Sequence, residues 1–419
     1  MLLIKPYLGC NLACKYCYEN NYRQKHRPKM TYDLKAILKR MDEFKDLEIS
    51  LHGGEILTLP KKDVETLLAK IYELKGQSSI QTNATLINDN FIKMFKKYKT
   101  HIGVSWDGPN ELSAYRPRSK KVYSIIKRLV QEGIPVSTII VVSKANAGTN
   151  QRLKKLKKYL LELNQMKIEG RLNPCYGYHT SKYELSIKKL KDVYLELAEF
   201  CLKNNLKWSP FNDIMNGLQG KDRVCTFMGC DPFHTPSATV ILGDGSITNC
   251  MRINKEYILL RHPAQYKTRD EILENVPQEY GGCRGCKYWT ACHGGCPSGA
   301  INNDWRNRTY ICSAWKALFQ FYENVLNHCD IPVVLGKSQQ QPVEQSTYHG
   351  DSGHGDAPHG DHGDAGHGDA PHGDSHGDSG HGDSYGDSGY GDSYGSHANL
   401  GHRNYGHGDA PHGNSHGDR

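Results

Sequence analysis

The sequence contains no apolar run approaching the roughly 18 residues that suggest a membrane-spanning helix, so we expect no transmembrane segment. It also lacks an export signal, because the first ten residues are too short for one and run directly into a cysteine loop. Fourteen cysteines in a chain without such a signal favour metal or cluster ligation over disulfide bonds. We therefore expect a protein of the reducing cytoplasm.

Residues 338–419 lack cysteine and contain almost no aliphatic side chains. They carry two Arg against twelve Asp and one Glu, a net charge of −11, whereas the whole chain carries +8 and the remainder therefore +19. Such a segment cannot bury enough apolar surface to offset its ordering entropy, so we expect it to be disordered when alone. A basic body often indicates a nucleic-acid partner. Here the complementary charge is already attached, so we expect docking of this segment and neither a nucleic-acid nor a membrane partner.

Three cysteines near the start, Cys10, Cys14 and Cys17, follow the spacing CxxxCxxC on one short loop. This spacing can place three thiolates around a cubane iron–sulfur cluster, which normally takes four cysteine ligands. One iron would then lack a protein ligand and could bind a small molecule. The alternative is zinc, but structural zinc uses four closed ligands, usually in paired CxxC units. The loop therefore favours an iron–sulfur cluster.

The same loop resembles the cluster loop of radical S-adenosylmethionine (SAM) enzymes, including the aromatic Tyr16 just before the last cysteine. The resemblance implies a [4Fe–4S] cluster whose open iron binds the amino and carboxylate groups of SAM. It also implies a protein electron donor such as flavodoxin or ferredoxin.

Strands and amphipathic helices alternate along residues 1–175. We expect strands at 2–4, 48–51, 79–82, 101–106, 136–142 and 167–173, and helices at 31–45, 62–75, 88–97 and 121–132. Strands joined by helices predict parallel pairing with right-handed crossovers. This α/β pattern is similar to the partial (β/α)6, TIM-like barrel of radical SAM enzymes. A parallel barrel places its chemistry at the carboxyl ends of the strands.

A polar motif follows the second expected strand. Gly53-Gly54-Glu55 matches the GGE motif of the radical SAM family. Glycines let the backbone approach a ligand closely, and the resemblance implies that Glu55 receives the SAM amino group. The position of the motif, after strand two and behind the cysteine loop, makes the match specific.

Four further residues are assigned to SAM by resemblance. Ser105 and Asp107 belong to a Ser-x-Asp-Gly-Pro sequence that resembles the end of strand four, near the SAM ribose. Asn83 and Arg118 lie where related enzymes often carry polar groups beside SAM. The alternatives are a turn residue for Asn83 and a solvated surface charge for Arg118.

Two cysteines, Cys175 and Cys201, lie between the cysteine loop and the later cysteine-rich region, and we expect both to have structural roles. Cys201 falls on the apolar face of a predicted helix together with Ile187, Leu190 and Leu197, which favours core packing. Cys175 follows the last expected strand. It either packs structurally, which is the favoured interpretation, or faces the cavity.

The region from Cys225 to Cys312 contains eight cysteines, enough to ligate two [4Fe–4S] clusters completely. From Cys230 onward it fits C-x(9–15)-G-x4-C, then C-x2-C-x5-C-x3-C, then a last cysteine, with a hairpin-like stretch at 239–250. This pattern resembles the SPASM domain, which extends radical SAM enzymes that modify peptides. The resemblance implies a first auxiliary cluster on Cys225, Cys230, Cys250 and Cys296 and a second on Cys283, Cys286, Cys292 and Cys312.

The alternative for these eight cysteines is a pair of zinc ribbons, which the preceding CxxxCxxC and GGE motifs disfavour. Met251 follows Cys250, where sulfatase-maturing relatives carry an acidic base. Oxidation of a sulfatase cysteine or serine is therefore not expected. Cys329 lies outside the pattern and is assigned no role.

The tail, residues 349–419, is built from triplets whose first residue is aromatic. His-Gly-Asp occurs ten times and Tyr-Gly-Asp twice, at 385–387 and 390–392, so that every Asp of the tail is third in a triplet. Asn takes the third place at His412–Asn414, His397–Asn399 and His402–Asn404. A merely flexible or solubilising segment would not need this register.

Two interpretations of the tail compete with the solubilising one. Aromatic-x-Asp/Asn triplets resemble the targets of SPASM enzymes that make three-residue cyclophanes, in which a 5′-deoxyadenosyl radical abstracts a Cβ hydrogen. The tail would then be a fused precursor peptide, joined carbon to carbon within each triplet. Alternatively, His-rich tracts bind zinc, nickel or copper, and the enzyme would epimerise or desaturate a separate peptide. Thioether crosslinks within the tail are excluded because it has no cysteine.

The sequence thus predicts four parts: a radical SAM partial barrel at 1–215, a SPASM domain at 216–330, a linker at 331–348 and the repeat tail at 349–419. The resemblance implies SAM and three [4Fe–4S] clusters as cofactors and a peptide as substrate. A non-enzymatic cluster- or metal-storage protein is the remaining alternative. The catalytic base and the radical quencher are not identified by the sequence.

Overall fold

A computed structural model describes residues 1–20, 23–24, 28–118, 120–175, 182–221, 225–232, 238–250 and 268–336. Residues Met1–Gln340 form one compact unit. The tail and most of the predicted linker lie outside the described residues, so the expectations for them stay predictions. No helix in the described part of the chain is long and apolar enough to cross a membrane.

The described residues form one nine-stranded sheet, and its first six strands confirm the expected alternation. The sheet order is β7-β6-β5-β4-β3-β2-β1-β8-β9, and every neighbouring pair is parallel except β8 with β9. The strands are β1 Leu2–Lys5, β2 Ile49–Leu51, β3 Ser78–Thr82, β4 Thr100–Ser105, β5 Val136–Val142, β6 Gly170–Pro174, β7 Trp208–Ser209, β8 Thr239–Leu242 and β9 Ile247–Thr248.

The four predicted crossover helices begin close to their expected starts, and the helix Asn150–Gln165 is one that the sequence analysis did not predict. Side chains cap three of these five helices. Asp33, Asn88 and Thr149 each accept a hydrogen bond from a backbone N–H of the first turn, which satisfies a donor that the helix itself cannot. The helices are α1 Leu34–Glu43, α2 Lys61–Lys75, α3 Asp89–Lys97, α4 Val122–Gln131, α5 Lys144–Ala147, α6 Asn150–Gln165, α7 Ile187–Lys203, α8 Phe211–Leu218, α9 Arg269–Asn275, α10 Trp289–Cys292 and α11 Cys312–His328.

The hairpin-like stretch at 239–250 forms the antiparallel pair β8–β9, and it also extends the barrel sheet. Strand β8 lies parallel to β1 in register, with Leu2 opposite Thr239 and Lys5 opposite Leu242. The sequence placed this stretch in a separate domain and did not predict the pairing. The cysteine-rich region is therefore anchored to the barrel through backbone hydrogen bonds.

Helix α7 packs Cys201 into the core, where its side chain is 2% exposed beside the buried Leu190 and Leu197. The side chain of Ile187 on the same helix is 40% exposed. Ile187 shares the apolar face but is the first residue of the helix, beyond the part that neighbouring elements cover. Helical spacing assigns a face but not the point where burial begins.

Candidate cluster and cofactor sites

The predicted site residues of the barrel lie at the carboxyl ends of four neighbouring strands. The cysteine loop follows β1, Glu55 follows β2, Asn83 directly follows β3 and Asp107 lies two residues beyond β4. Parallel strands bring these ends to one edge of the sheet. Hydrogen bonds join all four segments, so the predicted site residues lie close together at this edge of the sheet.

The Glu55 carboxylate is 2% exposed and is held by three donors. Its Oε1 accepts hydrogen bonds from the Leu57 N–H at 3.1 Å and the Thr82 hydroxyl at 2.7 Å, and its Oε2 accepts from the Asn83 N–H at 2.7 Å. Burial raises the pKa of Glu55, although these donors oppose the shift. The carboxylate is thus fixed in place, with acceptor capacity left for the amino group that the resemblance assigns to it.

Gly54 allows a close approach within the chain itself. A Cβ at this position would lie 2.2 Å from the Gly9 carbonyl oxygen and 2.3 Å from that of Leu8. The Gly54 N–H donates to the Tyr7 carbonyl at 3.0 Å, and the Glu55 N–H donates to that of Gly9 at 2.9 Å. The backbone that comes close at Gly54 is therefore the segment leading to Cys10, and Gly53 likewise packs against the Tyr7 carbonyl.

Asn83 reaches the first cysteine of the loop. Its Nδ2 lies 3.8 Å from the Cys10 Sγ and donates to the Asn11 Oδ1 at 2.9 Å. The Leu12 N–H also donates to the Cys10 Sγ, at 3.4 Å. Two donors thus point at one sulfur. Burial raises the pKa of Cys10, and the Leu12 hydrogen bond opposes that shift. The side chain of Asn83 is 5% exposed and is more than a turn residue.

Asp107 connects the cysteine loop to two further segments of the barrel. Its Oδ2 accepts a hydrogen bond from the Tyr16 hydroxyl, and its Oδ1 accepts from the Val141 N–H at 2.9 Å. The Arg116 Nε lies 3.7 Å from Oδ2. Burial raises the pKa of Asp107, opposed first by the Arg116 charge. In this structure Asp107 orients Tyr16 and Arg116 against the cysteines.

Arg116 is a site residue that the sequence analysis missed. Its guanidinium is 8% exposed, lies over the Tyr16 ring at 5.6 Å and places Nη1 3.6 Å from the Cys14 Sγ. Arg118, which was predicted instead, lies exposed at the surface. The sequence Tyr115-Arg116-Pro117-Arg118 offers two Arg, and motif position alone did not distinguish them.

A second guanidinium, that of Arg23, contacts the third cysteine of the loop, Cys17. The Arg23 Nη2 donates to the Cys17 Sγ at 3.2 Å and to the Asn20 Oδ1 at 2.7 Å. Burial raises the pKa of Cys14 to about 11, an effect that the Arg116 charge opposes. Without a bound cation this thiol stays protonated at neutral pH, and a cluster would hold it as thiolate.

Ser105 and Cys175 complete the barrel edge. The Ser105 hydroxyl accepts a hydrogen bond from the Gln81 Nε2 at 2.7 Å at the end of β4. Cys175 is 5% exposed and packs in one cluster with Leu12 and Cys14. It therefore packs against the cysteine loop, in agreement with the favoured structural interpretation.

The cysteine loop fits a cluster better than a single ion. Among the described residues, no group of three or more His, Cys, Asp or Glu side chains is arranged to hold one metal ion. A cubane cluster binds each thiolate to a different iron, so its ligands do not converge on one point. Cys10, Cys14 and Cys17 each have an N–H donor directed at the sulfur, as expected for thiolates of a buried cluster.

The second set of auxiliary cysteines surrounds one cavity. Its lining includes all four members, Cys283, Cys286, Cys292 and Cys312, together with aromatic side chains and Lys316. Burial, together with the neighbouring Cys286 and Cys312, raises the pKa of Cys283 to about 12. Four cysteines therefore lie close together around one space, which fits a site filled by an iron–sulfur cluster.

Two features of the backbone beside this cavity favour a bound cluster. Gly294 has φ +72°, and a Cβ there would lie 2.5 Å from the Leu273 Cδ1 and 3.5 Å from the Cys283 Sγ. Cys312 is the first residue of the 17-residue helix α11, the end at which the helix dipole attracts negative charge such as that of a bound cluster. Both features suit a thiolate cluster in this cavity.

The first set of auxiliary cysteines is described only in part. Cys230 is 6% exposed and Cys296 is half-buried, and both act electrostatically on the same buried guanidinium, that of Arg269. Cys225 and Cys250 each border residues outside the described ranges, and Met251 itself lies outside them. The joint ligation of these four cysteines therefore stays a prediction.

Comparison with known proteins identifies the class. Residues 4–149 match the radical SAM superfamily, in agreement with the cysteine loop, the GGE segment and the parallel sheet. This part of the chain is a radical SAM domain, and the protein is a radical SAM enzyme. Membership of that superfamily implies SAM and one [4Fe–4S] cluster.

Two curated relatives resemble most of the chain. It is 24% identical over 361 residues to a cysteine-type anaerobic sulfatase-maturating enzyme of Clostridium perfringens, covering 76% of this chain and 95% of the relative. It is 25% identical over 396 residues to a serine-type anaerobic sulfatase-maturating enzyme of Bacteroides thetaiotaomicron, covering 82% and 93%.

A solved structure agrees with the fold. The structure described as native anSMEcpe with bound AdoMet and Cp18Cys peptide gives a TM-score of 0.58 at 24% identity. The match covers 78% of this chain and 99% of that chain. It supports the partial barrel followed by a cysteine-rich region.

Proposed function

We propose that this enzyme is a peptide maturase that crosslinks the aromatic-x-Asp/Asn triplets of its own tail. The observation that carries the proposal is the register of the tail, in which each of twelve Asp is third after His or Tyr. The tail is joined to a radical SAM domain, and attachment raises its effective concentration to roughly the mM range. Opposite net charges on tail and body favour their association.

The proposed reaction removes two hydrogens from each triplet. Bound SAM and its cluster supply a 5′-deoxyadenosyl radical, which accepts one hydrogen atom. The third residue loses that atom from Cβ, and its carbon radical forms a carbon–carbon bond to the ring of the first residue. The ring then loses one proton and one electron to regain its aromaticity. An auxiliary cluster, held by the cysteines that the resemblance assigns to it, would accept the electron.

Three features support this proposal at the level of the protein. The four cysteines that line one cavity suit the predicted second auxiliary cluster, and four more cysteines are available for the first, which would bring the total to three [4Fe–4S] clusters. The relatives are named as maturating enzymes, and a neighbouring structure is described with a bound peptide. A flavodoxin or ferredoxin would supply the electron for SAM cleavage.

Sulfatase maturation is the activity that the relatives' names suggest. The sequence disfavours it here, because Met251 occupies the place of the relatives' acidic base. A sulfatase-motif peptide should accordingly remain unchanged when it is incubated with the enzyme, SAM and a reductant.

Mass spectrometry of the tail tests the proposal. The full chain, expressed with cluster-assembly support, should lose two hydrogens per modified triplet, and fragmentation should be suppressed between the two joined residues. Cys14→Ala, which removes one predicted ligand of the radical SAM cluster, should leave the tail unmodified. An unmodified tail from cluster-replete enzyme that cleaves SAM would refute self-modification.

Variation of one triplet tests the chemistry. Asp387→Gly removes the only Cβ of the third residue at 385–387 and should abolish the mass loss there. Asp387→Asn is the matched control, because the tail itself contains Asn in the third place. Deuterium at the Asp Cβ should appear in 5′-deoxyadenosine. If the tail remains unmodified but binds zinc, nickel or copper, the metal-binding interpretation replaces this one and the substrate is a separate peptide.

A further inference from the structure

Arg269 is a fully buried Arg that lies beside cysteines of both auxiliary sets. It is the first residue of α9, and its side chain is 0% exposed. Arg is almost never fully buried unless it is paired, because removing its charge from water is costly. A guanidinium at this depth therefore needs compensating negative charge.

The hydrogen bonds of Arg269 do not provide that charge. Its Nε donates to the Trp305 carbonyl at 2.7 Å, its Nη2 to that of Asn307 at 2.9 Å and its Nη1 to that of Gly295 at 3.2 Å. Longer contacts join Nη1 to the carbonyls of two further residues, His293 at 3.3 Å and Cys230 at 3.4 Å. Backbone carbonyls satisfy N–H donors and fix the guanidinium, but they are neutral.

Neighbouring cysteines can carry the balancing charge. Burial lowers the pKa of Arg269, and the groups that oppose this shift are Cys230, Cys283 and Cys296, followed by Asp270. A Cβ at Gly294 would contact both the Cys283 Sγ, at 3.5 Å, and the Arg269 Nη2, at 3.6 Å. The guanidinium and that sulfur therefore line the same space.

Two carboxylates nearby have other partners. The Asp231 Oδ2 accepts the backbone N–H of Arg269 at 2.7 Å, which caps the helix rather than the guanidinium. The Asp270 Oδ2 lies 3.2 Å from the His293 Nδ1. Cys230 and Cys296 are predicted ligands of the first cluster, and Cys283 is a predicted ligand of the second. Arg269 therefore lies close to ligands of both predicted clusters.

We propose that Arg269 is a positive charge shared by the two auxiliary clusters, which it stabilises in their reduced, more negative states. The inference rests on the auxiliary clusters of the proposed function. In the step concerned, a cluster gains one electron, and no bond forms or breaks. The electron comes from the substrate radical during turnover and from dithionite in the experiment below. Arg269 acts as a positioning and electrostatic residue and does not touch the substrate.

The test uses the full chain with Cys10, Cys14 and Cys17 replaced by Ala, so that only the auxiliary clusters give a signal. Arg269→Gln removes the charge, and Arg269→Lys retains it with fewer donors. Redox titrations followed by electron paramagnetic resonance measure the reduction potentials of the auxiliary clusters. Arg269→Gln should lower the equilibrium constant for their reduction at least tenfold, which lowers the potential by about 59 mV for one electron. Arg269→Lys should remain closer to the parent.

Loss of iron is equally informative. If Arg269→Gln fails to retain clusters that Arg269→Lys retains, the charge is required and the proposal stands. If Arg269→Lys differs from the parent as much as Arg269→Gln does, in reduction potential or in iron content, the proposal is overturned. Should the parent itself lack iron and sulfide for two clusters, or contain zinc, the proposed function fails instead.

Discussion

The buried ion pair between Lys5 and Glu19 predicts a large and asymmetric response to mutation. Lys5 is the last residue of β1 and is 5% exposed, and Glu19, two residues after Cys17, is 3% exposed. The Lys5 Nζ donates a hydrogen bond to the Glu19 Oε1. Removal of one partner leaves an uncompensated buried charge, whereas removal of both leaves none.

The magnitude follows from this burial. Lys5→Met or Glu19→Met alone should lower the free energy of unfolding by about 3 kcal/mol, at the lower end of what broken buried pairs cost. The double variant should lose about 1 kcal/mol, because Met fills similar volume without charge. Because the two single losses together are about 6 kcal/mol and the double variant loses about 1 kcal/mol, the coupling energy between the two positions should be about 5 kcal/mol.

Urea unfolding followed by circular dichroism, under anaerobic conditions, measures these differences from midpoints and slopes. The surface pair Lys97–Glu65 provides a matched control, since its side chains are 62% and 39% exposed. Lys97→Met should unfold at the same urea concentration as the parent. Single variants within about 1 kcal/mol of the parent, or strictly additive losses, would refute the reasoning.

Three further predictions concern the barrel site. Gly54→Ala should displace the cysteine loop and lower its cluster content, measured as iron per chain in a variant without auxiliary cysteines, because the new Cβ would lie 2.2 Å from a loop carbonyl. Arg116→Met should weaken cluster retention during dilution, whereas Arg118→Met, at an exposed position, should not. Burial, with the Lys5 charge, lowers the pKa of His52 from 6.5 to about 4. The unfolded chain therefore binds one more proton than the folded chain between these two pH values. The free energy of unfolding should fall by at most about 3 kcal/mol as the pH drops through this range, and it should fall less in His52→Gln.

The gathering of Glu55, Asn83 and Asp107 at one edge could be predicted because strand and helix periodicity fixes the topology. Parallel strands with helical crossovers must present their carboxyl ends together. The motif residues follow those ends directly in sequence. Little more than the order of elements was needed to place them.

Contacts between distant segments could not be predicted in the same way. Arg116 and Arg118 are two residues apart and identical in type, and only the packing around Asp107 distinguishes them. The pairing of β1 with β8 joins residues far apart in the chain, and a short apolar strand carries no signal for its partner. Buried ion pairs such as Lys5–Glu19 depend on the same unpredictable proximity.

Buried guanidinium groups link the barrel site to the auxiliary site in one physical argument. Arg116 lies at Cys14, Arg23 lies at Cys17, and Arg269 lies beside cysteines of both auxiliary sets. Arg keeps its charge when buried, while burial raises the pKa of Cys14 to about 11, so without a cluster Arg116 would lie beside a neutral Cys14 thiol. Cluster binding requires thiolates, releases their protons and supplies the missing negative charge. Cluster retention should therefore weaken as pH falls, and the loaded protein should be more stable than the metal-free chain by the free energy of that binding.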